Sequence, residues 1–186
     1  MKILSCGAGM QSTALALMSC ENKKEIKYKE VPIYDAVIFC DLGSEPIWVY
    51  KQVDFIKNAC EDAEIPFYIL DTHLHQDYLN NFGKRRVVSI PFWSVDENGK
   101  KGKMMRNCTL DYKINEIIKF VKYKLLGYAK YQRVKNKDLK AHEMHLGFSL
   151  EEKHRCKENK HKMFVNKFPL VDMELTRADN YKYILE

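Results

Sequence analysis

Short continuous apolar runs alternate along this chain with longer stretches in which apolar residues recur at helical spacing. Lys2-Ile3-Leu4 opens the pattern as a buried strand, and Ala14-Leu15-Ala16-Leu17-Met18 follows as a helix of strong helix formers. Residues 22–32 are polar, lysine-rich and end in Pro32, which predicts the connection out of that helix. Asp35-Ala36-Val37-Ile38-Phe39-Cys40 is a second apolar run, as expected of a strand covered on both faces of a parallel sheet. Pro46 opens a helix to about Asp62, with Trp48, Val49, Val53, Phe55, Ile56 and Ala59 as its buried stripe. Phe67-Tyr68-Ile69-Leu70 is a third strand, ending in Asp71. This β-α-β-α-β order predicts an α/β fold, a Rossmann-like three-layer sandwich with a mainly parallel central sheet.

The second half is less regular. Between Ser89 and Met105 the pattern breaks into Ile90-Pro91-Phe92-Trp93 and then Asp96-Glu97-Asn98-Gly99-Lys100, a hairpin with an Asn-Gly turn that could form a flap. Thr109 is the expected N-cap of the next helix. Residues 119–140 mix Lys and Arg with Tyr123, Tyr128 and Tyr131, which predicts a helix packing its rings inward and showing lysines to water. Basic residues interleaved with aromatics also suit RNA or DNA. Met144-His145-Leu146-Gly147-Phe148 reads as a further strand, and Ser149 with Glu152 as a capping box that leaves Arg155 one turn on. Thr176 and Asp179 form a second capping box near the C-terminus. No internal repeat or low-complexity segment is visible.

Composition narrows the class. The 186 residues suit one domain, 1–186, and no apolar run approaches the length of a membrane span. The N-terminus is strand-like rather than a signal peptide. Six cysteines, none paired as CxxC, fit reduced thiols and a cytoplasmic setting. The net charge of +6 suits anionic ligands or a solvated lysine-rich surface. Oligomerisation with copies of itself is left open.

The chemistry concentrates at strand ends. Gly7 and Gly9 lie between a strand and a helix, where backbone N–H groups and the positive helix end converge on an anion. Ser12 and Thr13 add hydroxyl donors in the first turn. The stretch lacks the lysine of a Walker loop and the third glycine of the dinucleotide fingerprint. Asp41 and Glu45 follow the second strand, where carboxylates can hold Mg²⁺ or a ribose hydroxyl. Arg106 and Lys113 flank Cys108; the two cations can hold an anionic group and would favour a thiolate between them. His142-Glu143-Met144-His145 is one residue short of H-E-x-x-H, and His73-x-His75 lies in a polar turn. Neither predicts a zinc site, and no iron–sulfur ligand set is expected.

Taken together, Leu4-Ser5-Cys6-Gly7-Ala8-Gly9-Met10-Gln11-Ser12-Thr13 and Phe39-Cys40-Asp41-Leu42-Gly43-Ser44-Glu45-Pro46 resemble the PP-loop ATP pyrophosphatase superfamily. Within it, the chain is most similar to the phosphoadenosine phosphosulfate reductase-like branch, also called adenine nucleotide alpha hydrolases. Arg106-Asn107-Cys108-Thr109-Leu110-Asp111-Tyr112-Lys113-Ile114 resembles the R-x-C-T-x-x-Y-K-I element of that branch. Gly147-Phe148-Ser149-Leu150-Glu151-Glu152-Lys153-His154-Arg155 resembles its glycine–serine–glutamate–arginine element. Phe168-Pro169-Leu170 and Leu175-Thr176-Arg177-Ala178-Asp179 continue the similarity.

The resemblance implies that Ser5, Gly7, Ala8, Gly9, Gln11, Ser12, Thr13, Asp41, Gly43 and Glu45 bind ATP or another adenine nucleotide, with Mg²⁺ or a ribose hydroxyl on Asp41 and Glu45. It implies that Arg106, Lys113 and Arg155 stabilise charge on the departing phosphate or sulfate, with Cys108 as the candidate nucleophile. Sulfur-transfer or nucleotide alpha-hydrolase chemistry is the expected activity. Gln11 stands where many such enzymes carry an aspartate, so a metal ligand at that position is open. The chain also ends at Glu186, before the cysteine-bearing tail of the related proteins, and a thiol donor or partner protein would then supply that function. Two alternatives are a non-catalytic nucleotide-binding subunit of a nucleic-acid-modifying assembly and an NAD- or FAD-type Rossmann enzyme. The loop ending in Ser12-Thr13 rather than glycine disfavours the second.

Overall fold

The computed structural model describes residues 1–72, 74–81, 84, 93–103 and 110–185. Strand β1 (Lys2–Cys6) leads to helix α1 (Met10–Lys24), β2 (Ala36–Asp41) to α2 (Ile47–Asp62), and β3 (Phe67–Asp71) to α3 (Leu74–Asn81). Strands β4 (Trp93–Val95) and β5 (Lys101–Lys103) pair antiparallel around a turn in which Asp96 accepts the Asn98 and Lys100 N–H groups. A helix from Leu110 to Leu125 has an α-helical middle, α4 (Asn115–Phe120), between wider π-type turns. Then come β6 (His142–Leu146), a 3₁₀ turn at Leu150–Arg155, β7 (Phe164–Lys167), α5 (Pro169–Asp172) and α6 (Arg177–Leu185).

The five longer strands form one parallel sheet in the order β3-β2-β1-β6-β7, the α/β Rossmann-like architecture that the alternation predicts. From β1 the chain winds outward through β2 and β3, then returns to lay β6 and β7 on the other side. The strand order therefore reverses between β1 and β6. In open α/β sheets that switch point opens a crevice at the carboxyl ends of the strands.

Contacts cluster into two units. The first comprises residues 1–39, 46–69 and 131–186; the second comprises 40–45 and 70–130. In the first, Ile3 and Leu4 of β1 and Ala36, Val37 and Ile38 of β2 have no exposed surface, as interior strands of a sheet covered on both faces should. Helix α1 is buried almost all round, including Ser12, Thr13, Ser19 and Asn22. Burial of Asn22 is compensated in full: its amide donates to the Tyr28 and Val31 carbonyls and accepts the Lys27 and Tyr28 N–H groups. The segment from 22 onward is thus not simply a polar connection; the helix runs on to Lys24 and Asn22 pins the loop that follows.

Three expectations are corrected. Trp48 and Phe55 do not belong to the buried stripe of α2; they are 69% and 48% exposed, while Val53, Ile56 and Cys60 are buried. Trp48 and Phe55, seven residues apart, share a stripe rotated about 100° from that of Val49 and Ile56, enough to leave the core. The helix expected across 119–140 stops at Leu125, followed by left-handed Gly127; Tyr128 is buried but Tyr131 is 85% exposed. Ser149 does cap the 3₁₀ turn by backbone position, yet its side chain makes no capping bond. The Thr176 capping box is present: Asp179 accepts the Thr176 N–H at 2.8 Å, and Thr176 Oγ1 accepts the Asp179 N–H at 3.2 Å.

Candidate functional site

In the first unit, Gly7-Ala8-Gly9 joins the carboxyl end of β1 to α1 at the switch point. Gly7 and Gly9 are exposed, and a Cβ added to either would meet no described atom within 4 Å. The sharp bend belongs to Ala8, with φ of 50° and its methyl buried in the core. The glycines are thus not what makes the turn; they leave its outer face bare of side chains.

Hydroxyls expected on a phosphate point elsewhere. Ser12 Oγ and Thr13 Oγ1 both donate to the Gly9 carbonyl, at 3.1 and 2.9 Å, and Ser12 Oγ accepts the Gly7 N–H at 3.2 Å. Thr13 also receives Gln52 Nε2 at 3.2 Å and has no exposed surface. These bonds staple the loop. Gly9 supplies no side-chain cap to α1, and the first turn holds no acidic residue. The first-turn N–H groups and the positive helix end therefore lack a side-chain acceptor, the arrangement that attracts an anion.

Across the switch point, β6 ends at Leu146 and Gly147 lies flush against the first turn of α1. A Cβ at Gly147 would stand 2.8 Å from Ser12 N and 3.0 Å from the Gln11 carbonyl carbon. Only glycine allows this approach. Beyond it, Gln11 Nε2 donates to Glu152 Oε2 at 3.1 Å, and the other Glu152 oxygen pairs with Arg155. The Arg155 guanidinium lies 4.5 Å from the centre of the Phe148 ring, which stacks on Phe168 at 5.9 Å. The structure thus links Arg155 to the glycine loop through Glu152 and Gln11. Ser5, next to the loop, is half-buried between its partners Ile38 and Leu146.

The second unit holds the other expected residues. Asp41 Oδ1 accepts the Gly43 N–H at 2.8 Å, a tight turn in which Gly43 takes a left-handed φ of 79°. The Asp41 carbonyl accepts both the N–H and the hydroxyl of Thr72. Glu45 Oε1 lies 3.5 Å from Lys113 Nζ, both half-buried, so the expected metal ligand and the expected catalytic cation are paired with each other. Burial pushes the Cys40 thiol up to about 12 and leaves it inert as a nucleophile. Arg106, Cys108, Thr109 and His73 lie outside the described residues, as do both outer ends of the expected flap, 89–92 and 104–105.

Glu152 and Gly147 carry more of this arrangement than the sequence suggests. A glycine directly after an apolar strand is a signal of close backbone approach; the bond from Gln11 to Glu152 gives no such local signal because the two lie 141 residues apart. No protein-family model matches this chain, and no curated protein sequence matches it.

Proposed function

We propose that this chain binds an adenine nucleotide by its phosphates at Gly7–Gly9 and acts at the phosphate or sulfate end of that ligand. One observation carries the reading: a loop whose outer face bears no side chain, at the uncapped start of α1 and at the sheet's switch point. The space at both glycines is open, and because the Gly7 and Ala8 N–H groups donate to Ser12 Oγ and Cys6 Sγ, the N–H groups of the first turn of α1 are the donors proposed for a phosphate. Arg155, held between Glu152 and the Phe148 face, supplies a positioned cation for negative charge developing on the departing group. Among the described residues no cluster of three metal-ligating side chains is present. A hydrated Mg²⁺ needs only one or two carboxylates, and Asp41 and Glu45 of the second unit are its proposed ligands.

The test is incubation with ATP and Mg²⁺, with calorimetric binding measured alongside product analysis. Saturable binding with release of AMP and pyrophosphate is the expected result. Binding without turnover would reduce the function to that of a nucleotide-binding subunit, and absence of binding would overturn the reading. Phosphoadenosine phosphosulfate with a thioredoxin-type reductant should bind yet release little sulfite, because none of the six cysteines is paired in a CxxC that could resolve a thiol intermediate.

A further inference from the structure

A basic strip runs along one edge of the sheet. Residues 133–140 and 151–167 hold ten Lys and Arg against four Asp and Glu, a net +6 equal to that of the whole chain. Residues 70–130 of the second unit hold twelve Lys and Arg against six Asp and Glu, also a net +6, so it is the packing of the two segments against each other that marks this edge. Both segments belong to the first unit and lie side by side: the Lys140 N–H donates to the Lys162 carbonyl at 2.8 Å, and His142 of β6 pairs with Phe164 of β7. All ten cationic side chains are exposed. Three of the four acids are engaged locally: buried Asp138 lies 3.4 Å from His142, Glu151 accepts the Arg177 N–H, and Glu152 holds Gln11 and Arg155.

Between these segments, beside edge strand β7, a cleft of about 260 Å³ is lined by Lys140, Lys157, Asn159, Asn166 and Phe168, with Glu158 as its one acid. Tyr131, 85% exposed, stands at the start of the first segment. A surface built for lipid would show a broad apolar face, whereas this one shows lysines, amides and aromatic rings. We infer that the β7 edge binds a nucleic-acid strand, its lysines tracking the phosphodiester backbone and the exposed ring of Tyr131 stacking on a base. Arg155 is shared with the site proposed above, whereas the other nine cations and the cleft are not part of it, so the inference does not depend on nucleotide chemistry at the glycine loop.

Fluorescence anisotropy with labelled 20-nucleotide DNA and RNA single strands, titrated at several salt concentrations, tests this. The wild-type chain should bind at least one of them in the micromolar range, with affinity falling steeply as salt rises. The Lys157→Glu/Lys160→Glu/Lys162→Glu variant should bind at least about tenfold more weakly, and Lys→Gln at the same three positions should lower the salt slope by about 2. A control, Lys23→Glu/Lys29→Glu/Lys51→Glu, changes net charge equally at exposed positions elsewhere in the same unit. It should lose less than about threefold, since charges beyond a Debye length are screened. Equal losses in both triple variants, or no binding of either strand at 50 mM salt, would overturn the proposal. Binding to phosphatidylserine vesicles but not to nucleic acid would also overturn it.

Discussion

Two strand-to-helix connections in this protein do the same topological work with opposite chemistry. The first, Gly7–Gly9, has no charged side chain, turns its neighbouring hydroxyls inward and leaves an outer face of bare backbone. The second, from Asp41 to Pro46, carries two carboxylates, one folded onto the Gly43 N–H and one paired with Lys113. A run of N–H groups at a helix start presents partial positive charge, so it selects anions. A pair of carboxylates selects cations and hydroxyl donors. Where the turn must bend also differs: Gly43 takes the left-handed conformation in the second connection, but buried Ala8 takes it in the first. Glycine thus serves conformation in one loop and access in the other.

The largest expected effect comes from the contact that positions the first connection. Gly147→Val places a branched side chain where even a Cβ stands 2.8 Å from Ser12 N and 3.1 Å from Ser12 Cα. Backbone cannot swing aside as a flexible side chain can, so β6 or α1 must shift. Chemical denaturation should show a loss of about 1–3 kcal/mol, with Gly147→Ala retaining part of it. A Gly147→Ala variant as stable as the parent would mean that the end of β6 does not press on α1.

Gly9→Val probes the other face of the same connection. No described atom obstructs its Cβ, and its φ is not left-handed, so folding should suffer only about 1 kcal/mol from a poorer N-cap residue. Nucleotide affinity should nevertheless fall about tenfold, or some 1.4 kcal/mol, because the side chain occupies the phosphate's space. Unchanged affinity in the folded variant would remove the loop from the binding site. The two glycines should therefore separate cleanly, one acting on stability and one on binding.

The sheet was legible because its signals are local. Continuous apolar runs marked β1, β2 and β3, and the helical spacing between them implied crossovers and hence parallel strands. The glycine turn was legible for the same reason. What escaped depends on partners far along the chain: Gly147 against Ser12, Glu152 against Gln11, and the basic segments joined at Lys140 and Lys162. The inward hydroxyls of Ser12 and Thr13 escaped for a subtler reason, since the same residue type can cap its own loop or meet a ligand. Cys20 and Cys60 show the limit of spacing arguments: forty residues apart, they bring their sulfurs to 4.0 Å between α1 and α2.

Acid should act on the first unit. His142 and His145 of β6 both sit below their ordinary value of 6.5, chiefly because burial disfavours the charged ring. His142 faces Asp138 and the N-terminal ammonium, and His145 faces Glu143, with Lys2 and Lys167 also opposing its charge. Above pH 6.5 each ring is neutral in both folded and unfolded chains. Below it, the unfolded chain takes up protons that the folded one refuses, so stability falls as pH drops from 6.5 toward the lowered values. Thermal unfolding between pH 7.5 and 5.5 should show this loss, and His142→Gln/His145→Gln should flatten it. A double variant with an unchanged pH profile would assign the acid sensitivity to other groups.

The smallest effects belong to the second connection. Asp41→Asn keeps an oxygen to accept the Gly43 N–H, so the turn should persist and stability should change by less than about 0.5 kcal/mol. Removing the charge should still abolish any gain in nucleotide affinity from Mg²⁺ over EDTA, if this carboxylate serves the metal. Lys113→Met asks what the facing ion pair contributes. At 3.5 Å and with both partners half-buried, the pair should stabilise by no more than about 1 kcal/mol. A double-mutant cycle with Glu45→Gln measures that coupling directly. Coupling near this size in the ligand-free protein, vanishing when nucleotide and Mg²⁺ are added, would mean that the ligand draws Glu45 or Lys113 away from its partner. Coupling unchanged by ligand would make the pair structural, leaving Asp41 as the carboxylate in this connection that could still serve the metal.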